Sequence, residues 1–284
     1  MNEKIIKKHL NEKYGDFKLE RLTGGYTNET FLLKSESQPP LVIKLAHSLN
    51  KDIENEINCL KLMQDTGVTP KIYDVINTDR FQIIVMEYRN GQNGQSILDS
   101  KEQERAEELY KRLGASLAKN IHSKIYEEAL EIKASDFAEL NLDLDFVPED
   151  LIGTSKDILL RINDSQEEWV LTHGDYGVHN VLYTDSNTLT ILDWEWAEWA
   201  NPITDIAWVC WFTKLHFPEY AEVLNPLFME EYKQHSPIHI SPQSLKGYCV
   251  YKVWKVLHKV QHAPKEVQQE WIRRLRWTVE TDLS

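Results

Sequence analysis

The sequence predicts an α+β protein in two lobes: a smaller N-terminal lobe built on an antiparallel sheet with one helix, and a larger, mainly helical C-terminal lobe carrying a hairpin. Three observations predict it. Short apolar runs separated by polar or glycine-bearing turns crowd residues 17–88. A polar, glycine-bearing connector, Arg89-Asn-Gly-Gln-Asn-Gly94, follows them. Beyond it, apolar residues recur mostly at intervals of three and four, the helical period. The division falls into a lobe over 1–88, a hinge over 89–94 and a second lobe over 95–284, and a chain of 284 residues can bury one large core or two smaller ones.

In the first lobe, the apolar runs Phe17 to Leu22 and Thr30 to Leu33 flank Leu22-Thr-Gly-Gly-Tyr-Thr-Asn28, which reads as the turn of a hairpin. Gly24 and Gly25 permit backbone angles that a side chain would forbid, so amide groups there can approach a phosphate, and Thr27 can add a hydroxyl. The next strand, Leu41-Val-Ile-Lys-Leu45, has a lysine among four apolar residues. On an edge strand Lys44 would point to water; on a strand buried on both faces it needs an anion, because an unpaired ammonium in apolar surroundings is expensive. From Asp52 to Gln64, Ile53, Ile57 and Leu60 mark one buried face of a helix, with Glu56 beside the stripe and Gly67 and Pro70 as its stop. Lys71 to Val75 and Phe81 to Tyr88 are two further strands, joined by the polar turn Asn77-Thr-Asp-Arg80.

In the second lobe, Lys101 to His122 reads as a long helix, Phe137 to Phe146 as an irregular stretch ending at Pro148, and Asp157 to Ile162 as another helix. Trp169-Val-Leu171 then leads into Leu171-Thr-His-Gly-Asp-Tyr-Gly-Val-His-Asn180, followed by Thr190-Ile-Leu-Asp-Trp-Glu195: a loop, a short strand, a turn and a second strand. Such a hairpin brings Asp175, Asn180 and Asp193 to one place. One carboxylate can orient a substrate hydroxyl while the amide and the other carboxylate hold magnesium against a nucleotide's phosphates, the division of labour that phosphoryl transfer needs. Taken singly, an Asp or Asn in a loop is ordinary turn chemistry. Another chemistry is a hydrolytic metal centre on His173, Asp175, His179 and Asp193.

Asp205, in Asn201-Pro-Ile-Thr-Asp-Ile-Ala-Trp208, opens an apolar helix and is read as structural, favoured by the helix dipole. Tryptophans are dense nearby. Trp208 and Trp211, at helical spacing, belong to a core, whereas Glu195, Trp196, Glu198 and Trp199, just past Asp193, are candidates for an aromatic and acidic wall able to hold a cation.

The pattern His173-Gly174-Asp175, four residues, Asn180, then an apolar strand ending in Asp193-Trp194 resembles the catalytic segment of the aminoglycoside phosphotransferase and choline kinase group, small-molecule relatives of the protein kinases. The resemblance implies a protein-kinase-like fold with Asp175 as catalytic residue and Asn180 and Asp193 as magnesium ligands. It also implies a phosphate-covering turn of Gly24, Gly25, Thr27 and Asn28, and a Lys44 that binds the α- and β-phosphates while paired with Glu56. Met86 would lie behind the adenine, with backbone groups of Glu87 and Arg89 at its edge, and in this family Asp205 fixes the catalytic loop's shape and His173 orders it. The implied cofactors are ATP, with GTP not excluded, and Mg2+. The chain after Asp193 reaches its next helix too soon for a long activation segment and no Ala-Pro-Glu follows, so a small-molecule hydroxyl is expected as acceptor ahead of a protein. An aminoglycoside or related antibiotic is the first expectation, with choline, homoserine or a sugar derivative as alternatives; Tyr176 departs from the tryptophan favoured by fructosamine kinases. A nucleotide-binding protein without catalysis is the reading of a different class.

The net charge of -13 opposes binding to nucleic acid and suits a cationic acceptor, although an acidic balance serves solubility alone. The N-terminus is charged and without an apolar signal core, and no apolar stretch approaches the roughly 20 residues of a membrane span, so a cytoplasmic protein with no membrane partner is expected. Cys59, Cys210 and Cys249 fall within apolar patterns and are odd in number, which argues for reduced core residues.

Overall fold

The structure, a computed structural model, describes residues 2–22, 28–128 and 130–283. In chain order the elements are α1 (Asn2–Tyr14), β1 (Lys18–Arg21), β2 (Glu29–Lys34), β3 (Leu41–His47), α2 (Lys51–Met63), β4 (Ile72–Asn77), β5 (Phe81–Glu87), β6 (Gln92–Asn93), α3 (Gly94–Asp99) and α4 (Gln103–Ser116). They continue with α5 (Glu149–Leu159), β7 (Val170–Thr172), β8 (Val181–Tyr183), β9 (Leu189–Ile191), β10 (Glu198–Ala200), α6 (Ile203–His216), α7 (Pro218–His235), α8 (Pro242–Lys259) and α9 (Lys265–Glu280). These fall into two compact units, Met1–Gln92 with Val181–Trp196, and Asn93–Asn180 with Ala197–Ser284.

The first unit is organised by an antiparallel sheet in the order β1-β2-β3-β5-β4. β3 is interior, with Lys44 opposite Thr30 of β2 and Ile84 of β5, and Leu41, Ile43, Leu45 and Ala46 around it are buried. This strand therefore has no solvent edge on which to discharge a lysine. Ile6 and Leu10 of α1, four apart and so on one helical face, pack with Phe31, Leu33, Ile43 and Val85 of the sheet. α2 starts at Asn50, whose side chain accepts the Asp52 N–H at 3.0 Å, and its turn ends at Gly67, where φ of +75° favours glycine. Its buried face holds Ile53, Glu56, Ile57, Leu60 and Met63. The hairpin β8–β9 pairs Val181 with Ile191 and Tyr183 with Leu189, and the Ile191 N–H donates to the Val68 carbonyl at 2.7 Å, tying the hairpin to this unit.

The second unit is mainly helical. α6 is buried almost all round, as expected of a helix apolar on every face. α8 begins with a capping box between Ser241 and Ser244 and runs through the buried stretch Tyr248 to Trp254. β7 pairs antiparallel with β10, setting Thr172 opposite Glu198 and Leu171 opposite Trp199. Cys59, Cys210 and Cys249 are buried and free.

Three elements differ from the sequence reading. The helix expected over 157–162 runs instead from Glu149 to Leu159, because Pro148 supplies a fixed-φ start and Glu149 and Asp150 an acidic first turn; Leu160, beyond its end, is 83% exposed. The long helix expected to reach His122 gives way after Ser116 to a wider turn over Leu117–Ile121. α1 lies in a charged stretch with few apolar positions to reveal it. Among the described residues no helix is long and apolar enough to cross a membrane.

Candidate active site

In the first unit, Lys44 of β3 and Glu56 of α2 form a buried ion pair, Nζ to Oε2 at 2.5 Å, whereas Glu54 on the same helix is exposed. The same Nζ lies 3.4 Å from Asp193 Oδ1. Burial alone would lower the lysine's pKa, but the charges of Glu56, Asp193 and Glu195 outweigh it and raise it, so the ammonium stays charged. Asp193 follows β9 with φ of +62°, one of few non-glycine residues in the left-handed region among those described. Aspartate tolerates this region better than most residues, and strain of this kind tends to persist where function demands it. Its side chain is 45% exposed, and among the described residues only Lys44 reaches it.

Asn28 is buried and accepts a hydrogen bond from Asn50 Nδ2 at 3.1 Å, which links the end of the first turn to the cap of α2. Gly24, Gly25 and Thr27 lie outside the described residues. Met86 is buried in β5. The Glu87 N–H is taken by the Lys71 carbonyl at 2.9 Å, and the Glu87 carboxylate pairs with Arg89 at 2.9 Å. Glu195 is buried and Trp196 half-buried.

In the second unit, the segment after β7 turns sharply at Gly174, whose φ of +77° explains a glycine between His173 and Asp175. Asp205, fully buried at the start of α6, accepts the His173 N–H at 2.7 Å and the Gly174 N–H at 2.9 Å. His122 Nε2 lies 3.2 Å from the same carboxylate and its Nδ1 2.8 Å from the Tyr232 hydroxyl. Burial would raise the Asp205 pKa; the bond and charge of His122, with His173, hold it low instead. The Gly174 carbonyl accepts from the buried Lys252 of α8, and the Tyr176 hydroxyl donates to the Leu113 carbonyl at 3.0 Å. His173 is fully buried, with Nδ1 accepting the Asp175 N–H at 3.2 Å.

Asp175 emerges from this frame about a third exposed. Its Oδ1 accepts from Trp208 Nε1 at 2.7 Å and lies 3.3 Å from His179 Nε2, and its Oδ2 accepts from Asn180 Nδ2 at 2.9 Å. Burial pushes its pKa up, but the bond and charge of His179, the charge of Lys252 and the Trp208 bond bring it down to about 2. The carboxylate is therefore ionised at any pH near neutral.

The oxygen chemistry suits a hard cation. Asn180 spends its Nδ2 twice, on the Asp175 carbonyl and on Oδ2, both at 2.9 Å, while no donor among the described residues reaches its amide oxygen. An unspent amide oxygen, such as that of Asn180, and a half-exposed carboxylate, such as that of Asp193, are each ligand types that a hard cation such as Mg2+ takes. Among the described residues no three His, Cys, Asp or Glu side chains group as a metal site of their own.

Glu198 is also accounted for. On β10 it is 3% exposed and pairs with Lys255 of α8 at 2.5 Å, and Lys255 lies 3.2 Å from Asp136, which accepts from the Tyr251 hydroxyl at 2.6 Å. Trp199 is 1% exposed. Neither Glu198 nor Trp199 presents the open anionic and aromatic surface expected of an acceptor wall. Sequence reasoning passed over Trp208 as an Asp175 partner, and Lys252 and Lys255 altogether.

Several solved structures share the fold. An amicoumacin kinase, determined with AMP-PNP, Ca2+ and its ligand, superposes with a TM-score of 0.72 over 100% of this chain and 95% of that one, at 14% identity. The choline kinase LicA from Streptococcus pneumoniae gives 0.73 over 98% and 99%, at 17% identity. A spectinomycin phosphotransferase, APH(9)-Ia, gives 0.67 over 98% and 96%, at 18% identity. At these identities the likeness is one of fold, a kinase-like α+β architecture. No curated protein matches the sequence. Residues 18–232, from β1 into α7 and so across every group described above except those on α8, match the APH phosphotransferase enzyme family, and the chain belongs to that family.

Proposed function

We propose that this phosphotransferase is an ATP- and Mg2+-dependent kinase that moves the γ-phosphate to a hydroxyl of a small molecule in the cytoplasm. The observation that carries the reading is Asp175: an ionised, partly exposed carboxylate bonded to Asn180, whose amide oxygen remains available to a cation. Residues 1–88 are the nucleotide-binding lobe, 89–94 the hinge and 95–284 the catalytic and acceptor-binding lobe.

In this mechanism Lys44, kept charged and oriented by Glu56, binds the nucleotide's phosphates, and the turn of Gly24, Gly25, Thr27 and Asn28 covers them through backbone amides. Met86 packs behind the base, with backbone groups of Glu87 and Arg89 at its edge. Asn180 and Asp193 hold the magnesium, which supplies charge neutralisation on the phosphates when bound. Asp175 orients the acceptor hydroxyl and receives its proton. With a pKa near 2 it is a weak base, so it acts mainly through alignment and charge, and the proton moves late, when the oxygen has already begun to bond to phosphorus.

The acceptor is a small hydroxylated molecule, and the fold neighbours named above make an aminoglycoside or other antibiotic the first to test, with choline, homoserine and sugar derivatives next. Trp196 remains in the proposed acceptor set with Glu195; Glu198 is neutralised by Lys255 and Trp199 is enclosed. The test is 31P NMR of MgATP, and separately MgGTP, with a panel of these acceptors. A new phosphomonoester resonance together with ADP supports the reading. Nucleotide binding without any turnover across the panel would favour a non-catalytic nucleotide-binding protein.

A further inference from the structure

Around Asp175 the polar neighbours are unevenly divided between the two carboxylate oxygens. An ionised carboxylate offers about four lone-pair positions, two on each oxygen. Oδ1 accepts from Trp208 Nε1 at 2.7 Å and has His179 Nε2 3.3 Å away, whereas Oδ2 accepts from Asn180 Nδ2 at 2.9 Å. Two ring nitrogens stand at Oδ1 and one amide at Oδ2, so Oδ2 is the less crowded oxygen.

The geometry points to Trp208 as a positioning residue: its indole N–H, with His179, occupies Oδ1 of Asp175 and so presents Oδ2 to the acceptor hydroxyl. This rests on the reading of Asp175 as the residue that meets the acceptor. Trp208 can serve as a clamp because it is itself immobilised. It is 5% exposed and stacks on Trp211 with centroids 4.5 Å apart and planes within 6°. Trp211 stacks in turn on Trp271 at 6.2 Å and donates to Thr278 Oγ1 at 2.7 Å. On α8 the Lys252 ammonium sits 5.4 Å from the Trp208 ring centroid while donating to the Gly174 carbonyl, so one cation braces both the clamp and the backbone next to Asp175. His179 is held on its side by Phe212, centroids 4.6 Å apart. A carboxylate with its two oxygens equally free could rotate about χ2, a soft torsion, and misalign the hydroxyl.

The test uses the full chain labelled with 15N at its indoles. The cross-peak missing from Trp208→Phe identifies the Trp208 N–H, and at neutral pH this peak should move in Asp175→Asn by more than any other indole peak. Substituting 3-benzothienylalanine at position 208 keeps the ring volume and the stack and removes only the donor, which guards against a Trp208→Phe protein that fails to fold. With MgATP and water as acceptor, this substitution should lower kcat about ten- to a hundred-fold while KM for ATP stays within about two-fold, the split expected of lost alignment and not of lost fold. A Trp208 peak that ignores Asp175→Asn, or wild-type turnover with the isostere, overturns the clamp. If the peak moves but Asp175→Asn turns over like the wild type, the bond stands and the role of Asp175 in catalysis is what fails.

Discussion

Asp205 receives two consecutive backbone N–H groups, from His173 at 2.7 Å and from Gly174 at 2.9 Å, so one buried carboxylate sets the path of the chain into Asp175. Asp205 and Asp175 are therefore coupled through Gly174, which lies at φ +77°. Gly174→Ala should cost about 1–2 kcal/mol of stability, the penalty of a Cβ in the left-handed region. Turnover should fall more steeply, on the order of a hundred-fold, because the displacement is passed to Asp175. Denaturant unfolding set beside ATP turnover measures both, and equal small effects on the two would break the coupling.

The acid limb of stability follows from Asp175 and Asp205, both with pKa values below the ordinary aspartate range. A carboxyl whose folded pKa is depressed stabilises the fold above its unfolded value and loses that contribution as pH falls through the folded value. For Asp175 the window runs from the unfolded value of 3.8 down to about 2, and the contribution at neutral pH is about 2 kcal/mol. The difference in unfolding free energy between the wild type and Asp175→Asn should be constant above pH 5 and shrink towards pH 3. A difference that grows on acidification contradicts the assignment.

Lys44 and Glu56 are buried together, so removing one strands the other. Lys44→Met should destabilise the fold by about 3–5 kcal/mol, whereas Lys44→Met with Glu56→Leu should recover most of that loss because an apolar pair of similar volume fills the space. Neither variant should regain turnover, since the proposed phosphate-binding charge is gone from both. Thermal unfolding of the four proteins of the cycle, with ATP turnover alongside, separates stability from function.

The sequence made Lys44 legible for a physical reason: a lysine amid apolar residues of an interior strand needs an anion, and a helix with one carboxylate on its buried face supplies it. The same signal was present in Gly247-Tyr-Cys-Val-Tyr-Lys-Val-Trp254, where Lys252 interrupts an apolar helix and proves buried beneath Gly174. Helical spacing correctly put Trp208 in the core, but burial says nothing of where an indole N–H is directed, and its bond to Asp175 is a matter of three dimensions. Glu198 shows the converse. Its partner Lys255 lies far along the chain on another helix, and no local pattern announces that a carboxylate has already been neutralised. The start of α5 was readable from Pro148 and the acidic pair after it, and was lost by following the apolar residues of 158–162 instead.

The proposed role of Asp175 is to direct a hydroxyl onto the γ-phosphate of a nucleotide that other residues bind. It is tested most directly by comparing Asp175→Ala with the wild type in two measurements on the same preparations, the affinity for Mg·AMP-PNP and the rate of ADP formation from MgATP with the panel acceptors. An affinity within about three-fold of wild type is expected, with a rate lowered by about a thousand-fold or more. A variant that forms ADP and phosphorylated acceptor at a rate near that of the wild type would contradict it.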